Sequence, residues 1–233
     1  MAAGPHRISH TGSSEAVENY VKAIYSLQNK SGGDPVSTND LAARMSVTPA
    51  SASGMVRKLT ELELVAHTPY RGVHLTRDGE RLALEVLRHH RLLELYLAKQ
   101  LDVPWDRVHE EAEALEHVLS EDLEARIAAK LGNPTHDPHG DPIPDPDLHI
   151  DERPTTSLNS LEAGVRGRFV RVSDSDPEML RYLDDRGVRL GDDLEVLDRQ
   201  PFEGPLTVRF GDDLHVFGGA LAQAMRVEVI VDG

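Results

Sequence analysis

Residues 37–62, STNDLAARMSVTPASASGMVRKLTEL, followed by LVAHTPYRGVHLT at 64–76, decide how the N-terminal part of this chain folds. Ser37, Thr38, Asn39 and Asp40 offer capping side chains ahead of a short helix, LAARMSV. Thr48 and Pro49 open a second helix. The hydroxyl caps free amides, and a proline loses nothing in the first turn. Met55, Val56, Leu59 and Leu62 form its inner side. Two helices joined by Met45-Ser46-Val47 make a helix-turn-helix pattern. Residues 64–67 and 72–76 then read as two short strands around TPYRG. Helix pair plus hairpin is a winged helix-turn-helix. Thr48, Pro49, Ser51 and Ser53 lie at the outer start of the second helix, where small side chains let it sit deep in a DNA groove. Arg57 and Lys58 follow, placed for phosphates. Arg71, at the hairpin tip, reads equally as a backbone contact or a solvated turn residue.

Outward from that core, residues 15–29 place Val17, Tyr20, Val21, Ile24, Tyr25 and Leu27 on one helical stripe. Residues 1–14 read as a polar tail without the apolar centre of a signal peptide. Residues 77–100 form a long Leu- and Ala-rich helix. Residues 105–131 hold at least one more, with Val108, Ala112, Leu115, Leu119 and Leu123 buried. Five of the 14 prolines fall in GNPTHDPHGDPIPDPD at 132–147, which excludes continuous helix or sheet. Histidines 136, 139 and 149 in this connector read as surface residues. From 161 the pattern turns to short strands, at 168–172, 194–197, 206–210 and 225–231, with one amphipathic helix at 177–187. Such spacing suggests a small barrel.

The chain has 233 residues, no cysteine and a formal charge of −15. Absent cysteine excludes disulfide scaffolds and thiolate zinc sites and fits a cytosolic protein. No apolar run is long enough to span a membrane. Residues 1–76 carry seven Lys/Arg against six Asp/Glu, leaving 18 against 34 elsewhere. The acidity therefore lies outside the helix-turn-helix segment, which allows a DNA-binding head on an acidic body.

A second stretch carries chemistry. HEEAEALEH at 109–117 puts His109, Glu113, Glu116 and His117 at i, i+4, i+7 and i+8 of a helix, on one face. His90 and Glu94 repeat the i, i+4 pairing upstream. Mixed imidazoles and carboxylates on one stripe suit a divalent metal such as Mn2+ or Fe2+ better than structural zinc. His-Glu-x-x-His, a serine nucleophile elbow and a Gly-rich phosphate loop are all missing, so an enzyme is not expected.

ENYVKAIYSL, ELVAHTPYRGVHLTRDGE, RHHRLLELYL, VHEEAEALEHVLSEDLEARI and PHGDPIP together give the chain its family likeness. It resembles the diphtheria toxin repressor family of metal-dependent transcriptional regulators over nearly its whole length. The resemblance implies an α+β multidomain protein with a winged helix-turn-helix at 1–76 and a helical metal-binding and dimerisation domain at 77–150. A linker at 151–160 and an SH3-like, FeoA-like barrel at 161–233 would follow. Short manganese regulators of the family lack that last domain.

The resemblance also implies a primary metal site of Asn19, Glu113, Glu116 and His117. Asn19 stands where iron regulators have Met and manganese regulators Asp. Glu113 stands where iron regulators have Cys, and a hard carboxylate there favours manganese. Lys22 takes the position of another manganese-regulator carboxylate. An ancillary site would use His90, Glu94 and His109, with further ligands near Asp176 and Glu178.

The expectation is a homodimeric repressor that binds palindromic double-stranded operator DNA when loaded with Mn2+ or Fe2+. Metal-uptake genes would be its targets. A winged-helix regulator governed by an organic ligand, or a metal-handling protein that does not bind DNA, are the alternatives.

Overall fold

The structure is a computed structural model that describes residues 14–68, 71–202 and 204–230. Residues 1–13 of the polar tail and residues Pro69 and Tyr70 lie outside the described residues. The elements, in order, are α1 (Glu15–Lys30), α2 (Thr38–Arg44), α3 (Pro49–Glu61), β1 (Val65–Thr68), β2 (Gly72–Leu75), α4 (Arg77–Leu101), α5 (Val108–Leu115) and α6 (Glu121–Lys130). Then come β3 (Thr156–Ser157), β4 (Arg166–Val172), α7 (Pro177–Asp184), β5 (Asp193–Arg199), β6 (Leu206–Phe210), β7 (Asp213–Phe217), α8 (Gly219–Ala224) and β8 (Met225–Val229).

The chain divides into two compact units. One comprises Met1–His89, Glu116–Leu119 and Pro144–Leu148; the other comprises His90–Leu115, Ser120–Ile143 and His149–Gly233.

In the first unit, Val17, Val21 and Ile24 of α1 pack with Leu41, Val56, Leu59, Val73 and Val86. Each such side chain contributes about 1.5–3 kcal/mol through burial. The expected caps form: Ser37 accepts from Asp40 N at 3.0 Å, and Thr48 accepts from Ser51 N at 3.2 Å, with Pro49 in the first turn. Ser46 turns the chain between α2 and α3 in the left-handed region, at φ 54°. Leu62, expected inside, is exposed, because α3 stops at Glu61 and Glu63 reverses the chain at φ 58°.

The hairpin β1–β2 is antiparallel, and Val36 bridges to Val73 beside it. Gly72 is obligatory there. Its φ is +108°, and a Cβ would meet Val36 O at 2.7 Å. Gln28 of α1 fastens the hairpin: its Oε1 accepts from Leu75 N at 3.1 Å, and its amide nitrogen lies 3.1 Å from His74 Nδ1.

In the second unit six strands form an antiparallel sheet in the order β3-β8-β4-β5-β6-β7, with bulges between Phe169 and Arg171 and between Val196 and Asp198. Its core joins Phe169, Val172, Leu194, Val196, Val208 and Phe217 to Leu180 and Leu183 of α7. Strands β3 and β7 end the ladder and do not pair with each other among the described residues, so the sheet is an open one rather than the closed barrel expected. The connector before it is ordered by its own groups. Asp137 Oδ1 accepts from His139 N at 2.8 Å and Asp141 N at 2.9 Å, and His139 O accepts from Val172 N at 2.9 Å. Gly140, at φ +86°, passes so close to β4 that a Cβ would meet Val170 O at 2.0 Å.

The continuous helical stripe expected at 109–117 does not form. Helix α5 ends at Leu115, and Glu116–Val118 is a 3-10 turn. A 3-10 turn advances about 120° per residue against 100° in an α-helix, so the i, i+4, i+7, i+8 spacing of a single α-helix does not hold through Glu116 and His117. The break also resets the phase of the apolar pattern. Val108, Ala112 and Leu119 are buried as expected, whereas Leu115 and Leu123 are exposed.

Candidate metal centres

The first unit gathers one group of ligand-type side chains. Helix α1 carries Glu18, Asn19 and Lys22; the turn Glu116–Val118 brings Glu116 and His117. His117 Nδ1 lies 2.5 Å from Glu18 Oε2, and its Nε2 lies 3.0 Å from Asn19 Oδ1 and 3.3 Å from Glu116 Oε1. Lys22 Nζ donates to Glu116 Oε1 at 2.6 Å. Glu18 and Glu116 are buried, and Glu116 is only 1% exposed.

Three oxygens thus face one imidazole. With a neutral imidazole, which has a single N–H, contacts to Glu18 on one side and to Asn19 and Glu116 on the other leave one ring nitrogen offering a lone pair to an oxygen-rich set. A cation placed among such donors resolves that conflict, and the mixed nitrogen and oxygen set suits Mn2+ or Fe2+. The residues therefore fit a divalent metal. Glu113 has a different described partner. Its side chain is 54% exposed, and Oε1 lies 3.7 Å from His109 Nε2.

The second unit gathers another group. Glu94 Oε1 lies 3.0 Å from His90 Nε2 and 3.2 Å from His109 Nδ1, and Asp174 Oδ2 lies 2.9 Å from the same His109 nitrogen. One ligand atom from each of the four residues falls within 4.8 Å of all the others. Two carboxylates crowd one imidazole nitrogen there, and a set of two imidazoles and two carboxylates suits a divalent cation.

Asp174 takes the place expected for Asp176 and Glu178. Asp176 instead caps α7, accepting from Glu178 N at 2.9 Å, and Glu178 is an exposed first-turn residue. The helix consumes Asp176, and the ligand-like carboxylate comes from the loop two residues earlier.

His139, expected at the surface, is fully buried. Its Nε2 donates to Trp105 O at 2.7 Å, and its Nδ1 faces Glu94 Oε2 at 3.8 Å without a hydrogen bond. Asp137, Glu94 and His139 form a further group of ligand type behind the first. Arg91 lies 3.8 Å from Asp137 and 3.5 Å from Asp141, and Arg171 lies 2.8 Å from Asp141.

The electrostatics follow from this crowding. Burial pushes the Glu94 carboxyl up, but hydrogen bonds from His109 and His90 and the attraction of nearby His139 outweigh it and hold Glu94 well below the usual range. Hydrogen bonding to Asp174, then to Glu94, lifts His109 to about 10. Burial alone would lower His139, yet its attraction to Glu94 raises it to about 9. Burial, with Asp141 and Glu94 nearby, raises Asp137 to about 8.

Sequence reasoning missed Glu18, Asp137, His139 and Asp174. Glu18, four residues before Lys22, reads in the sequence as half of an ordinary helix surface pair.

The candidate DNA surface is outward-facing. Thr48, Pro49, Ser51, Ser53, Arg57, Lys58 and Arg71 are all exposed, while Ala52, Val56 and Leu59 bury the opposite side of α3.

Family profiles match three consecutive segments. The N-terminal DNA-binding domain of iron-dependent repressors matches residues 13–73, their metal-binding and dimerisation domain residues 76–145, and the FeoA domain residues 156–229. The iron-dependent repressor IdeR of Mycobacterium tuberculosis (strain ATCC 25618 / H37Rv) is 30% identical over 228 residues, covering 93% of this chain and 98% of that one. The diphtheria toxin repressor of Corynebacterium efficiens is 29% identical over 229 residues, covering 94% and 97%. Among solved structures, a manganese-dependent transcriptional repressor in complex with manganese superposes with a TM-score of 0.86 at 43% identity, covering 92% of this chain and all of the other. The manganese regulator SloR superposes at 0.76 with 32% identity over 92% and 98%. Domain by domain and over its whole length, the chain belongs to the iron-dependent repressor family, which includes the diphtheria toxin repressor and IdeR.

Proposed function

We propose that this protein is a metal-dependent transcriptional repressor that binds palindromic operator DNA as a homodimer when loaded with Mn2+ or Fe2+. The observation that carries the reading is the convergence of Glu18, Asn19, Glu116 and His117 in the unit that also holds the helix-turn-helix. A bound divalent cation would add positive charge among these buried oxygens, one of which Lys22 already faces. Glu18 and Asn19 hold the α1 side of the group, and Glu116 and His117 hold the side of the 116–118 turn. Gln28, further along α1, fastens the hairpin, so α1 joins the metal group to the wing of a winged helix-turn-helix. The carboxylate-rich set favours manganese.

His90, Glu94, His109 and Asp174 are the residues we assign to an ancillary ion, with Asp137 and His139 behind Glu94. Glu113 stays in the primary set on family resemblance. Metal-uptake genes are the targets we expect, which places the protein in the cytoplasm. The described helices include none long and apolar enough to cross a membrane. Exposed Leu115 and Leu123 support a dimer face, and Leu123→Asp should turn a dimer into a monomer in sedimentation. The bulged antiparallel ladder of β4 to β8 supports reading the FeoA segment as an SH3-like fold.

The test uses chelator-stripped protein and a pool of short genomic DNA fragments at fixed salt. Retention of specific fragments with Mn2+ or anaerobic Fe2+, and not without metal, is expected. Equal retention with and without metal would remove the metal switch and promote control by an organic ligand.

A further inference from the structure

Lys22 stands apart from the other side chains of the α1 group because it is itself a cation. Its Nζ lies 2.6 Å from Glu116 Oε1, the same oxygen that faces His117 Nε2 at 3.3 Å. Glu116 is fully buried at its side chain, while that of Lys22 keeps 15% exposure. The two carboxylates, Glu18 and Glu116, carry two negative charges, and the ammonium offsets one of them. A divalent ion alone would offset both. An ion that shares Glu116 with the ammonium lies within a few ångströms of it, and two cations that close repel strongly where water is scarce.

We infer that Lys22 is a tethered counter-cation that holds Glu116 in the metal-free protein and competes with the divalent ion for it. The residue thereby sets the metal concentration at which the site fills. The inference rests on reading Glu18, Asn19, Glu116 and His117 as a metal site.

The chemistry suits the role. A lysine ammonium is a compact charge on a flexible stem, and its partial exposure gives it a route back to water when displaced. In the metal-free state it spares Glu116 the heavy cost of a buried, unpaired carboxylate. Fastening and competition are therefore one property seen from two sides: whatever Lys22 lends to the empty site must be returned when the ion enters.

The test titrates chelator-stripped full-length protein with Mn2+ alone, counting free ion by electron paramagnetic resonance. His117→Ala identifies which bound ion belongs to this group. Lys22→Gln is expected to lower the half-saturating Mn2+ concentration of the His117-dependent site by roughly tenfold or more. It should also lower the melting temperature of the metal-free protein and enlarge the rise on adding Mn2+. Lys22→Arg, which keeps the charge, should stay near the wild-type affinity. A merely structural lysine would leave both variants binding more weakly. Unchanged or weaker Mn2+ binding by Lys22→Gln overturns the inference, and Lys22→Met repeats the test should the glutamine variant fail to fold. Should His117→Ala remove no bound ion from the wild type, the metal reading of the group falls, and the competition with it.

Discussion

His117 Nδ1 and Glu18 Oε2 meet at 2.5 Å across 99 residues of sequence, and the contact ties the first helix to the turn that ends α5. Glu18 carries no direct signature of a ligand, yet it stands as close to the imidazole as any residue in the group. Truncating it should weaken Mn2+ binding by about 10- to 100-fold, the usual cost of losing a group that orients a ligating histidine. Equilibrium dialysis of Glu18→Ala measures this. Saturating Mn2+ should restore DNA retention, and an unchanged affinity would remove Glu18 from the site.

Glu113 and Glu116 should separate in two measurements. Glu113→Ala, at an exposed position, is expected to leave metal-free stability within about 0.5 kcal/mol while reducing the metal response. Glu116→Gln strips the buried partner of Lys22 and should lower both metal-free stability and metal binding. Melting curves with and without Mn2+ decide the pair. A full metal response in Glu113→Ala would strike that residue from the ligand set.

The metal-free protein should lose stability as pH rises from about 6 to about 10. His109, raised to about 10 chiefly by Asp174, and His139, raised to about 9 against its burial by Glu94, hold protons more tightly folded than unfolded. Their contribution is complete below the ordinary histidine range and disappears through those folded values. Asp137, raised to about 8 mainly by burial, acts in the same direction from its ordinary range up to that value. Glu94 works oppositely. Held low, its contribution is present above the usual carboxylate range and lost on acidification below it. Thermal melts in chelator at pH 6 and pH 9 measure the slope, and a higher melting temperature at pH 9 would contradict it.

Arg57 and Lys58 should act on phosphates. Replacing either by Ala is expected to reduce the slope of log affinity against log salt by about one, with similar losses across operator sequences. Binding isotherms at three salt concentrations check this. A loss confined to one operator sequence would assign the residue to base reading instead.

The N-terminal elements were legible because their signals are local. Caps at Ser37 and Thr48, the proline of α3 and a 3.6-residue apolar period each act over a few residues. His90, Glu94 and His109 were legible for the same reason, as spacing on helices. Glu18 was not, because a glutamate four residues before Lys22 reads as an ordinary surface pair on a helix. Asp174 belongs to a loop whose length tertiary packing sets, so a two-residue offset from Asp176 left no trace in the pattern. His139 looked solvated amid prolines and aspartates, yet the ladder contact with Val172 draws it inside. The 3-10 turn at 116–118 has no strong composition signal, and one helical period was carried through it. The sheet order is non-local and stayed unread, as did strand β3 and helix α8.

The Gln28 clasp has a mechanical meaning. Glu18 and Gln28 are ten residues apart on one helix, a span of ~15 Å at the α-helical rise. A rigid rod of that length turns a tilt of only about 5° at the carboxylate end into a sideways travel of about 1 Å at the wing. Because Gln28 grips both His74 and the Leu75 amide, that travel reaches the hairpin without slack. On the proposed metal reading, helix α1 would act as a crank, and the wing need never touch the ion in order to be aimed by it.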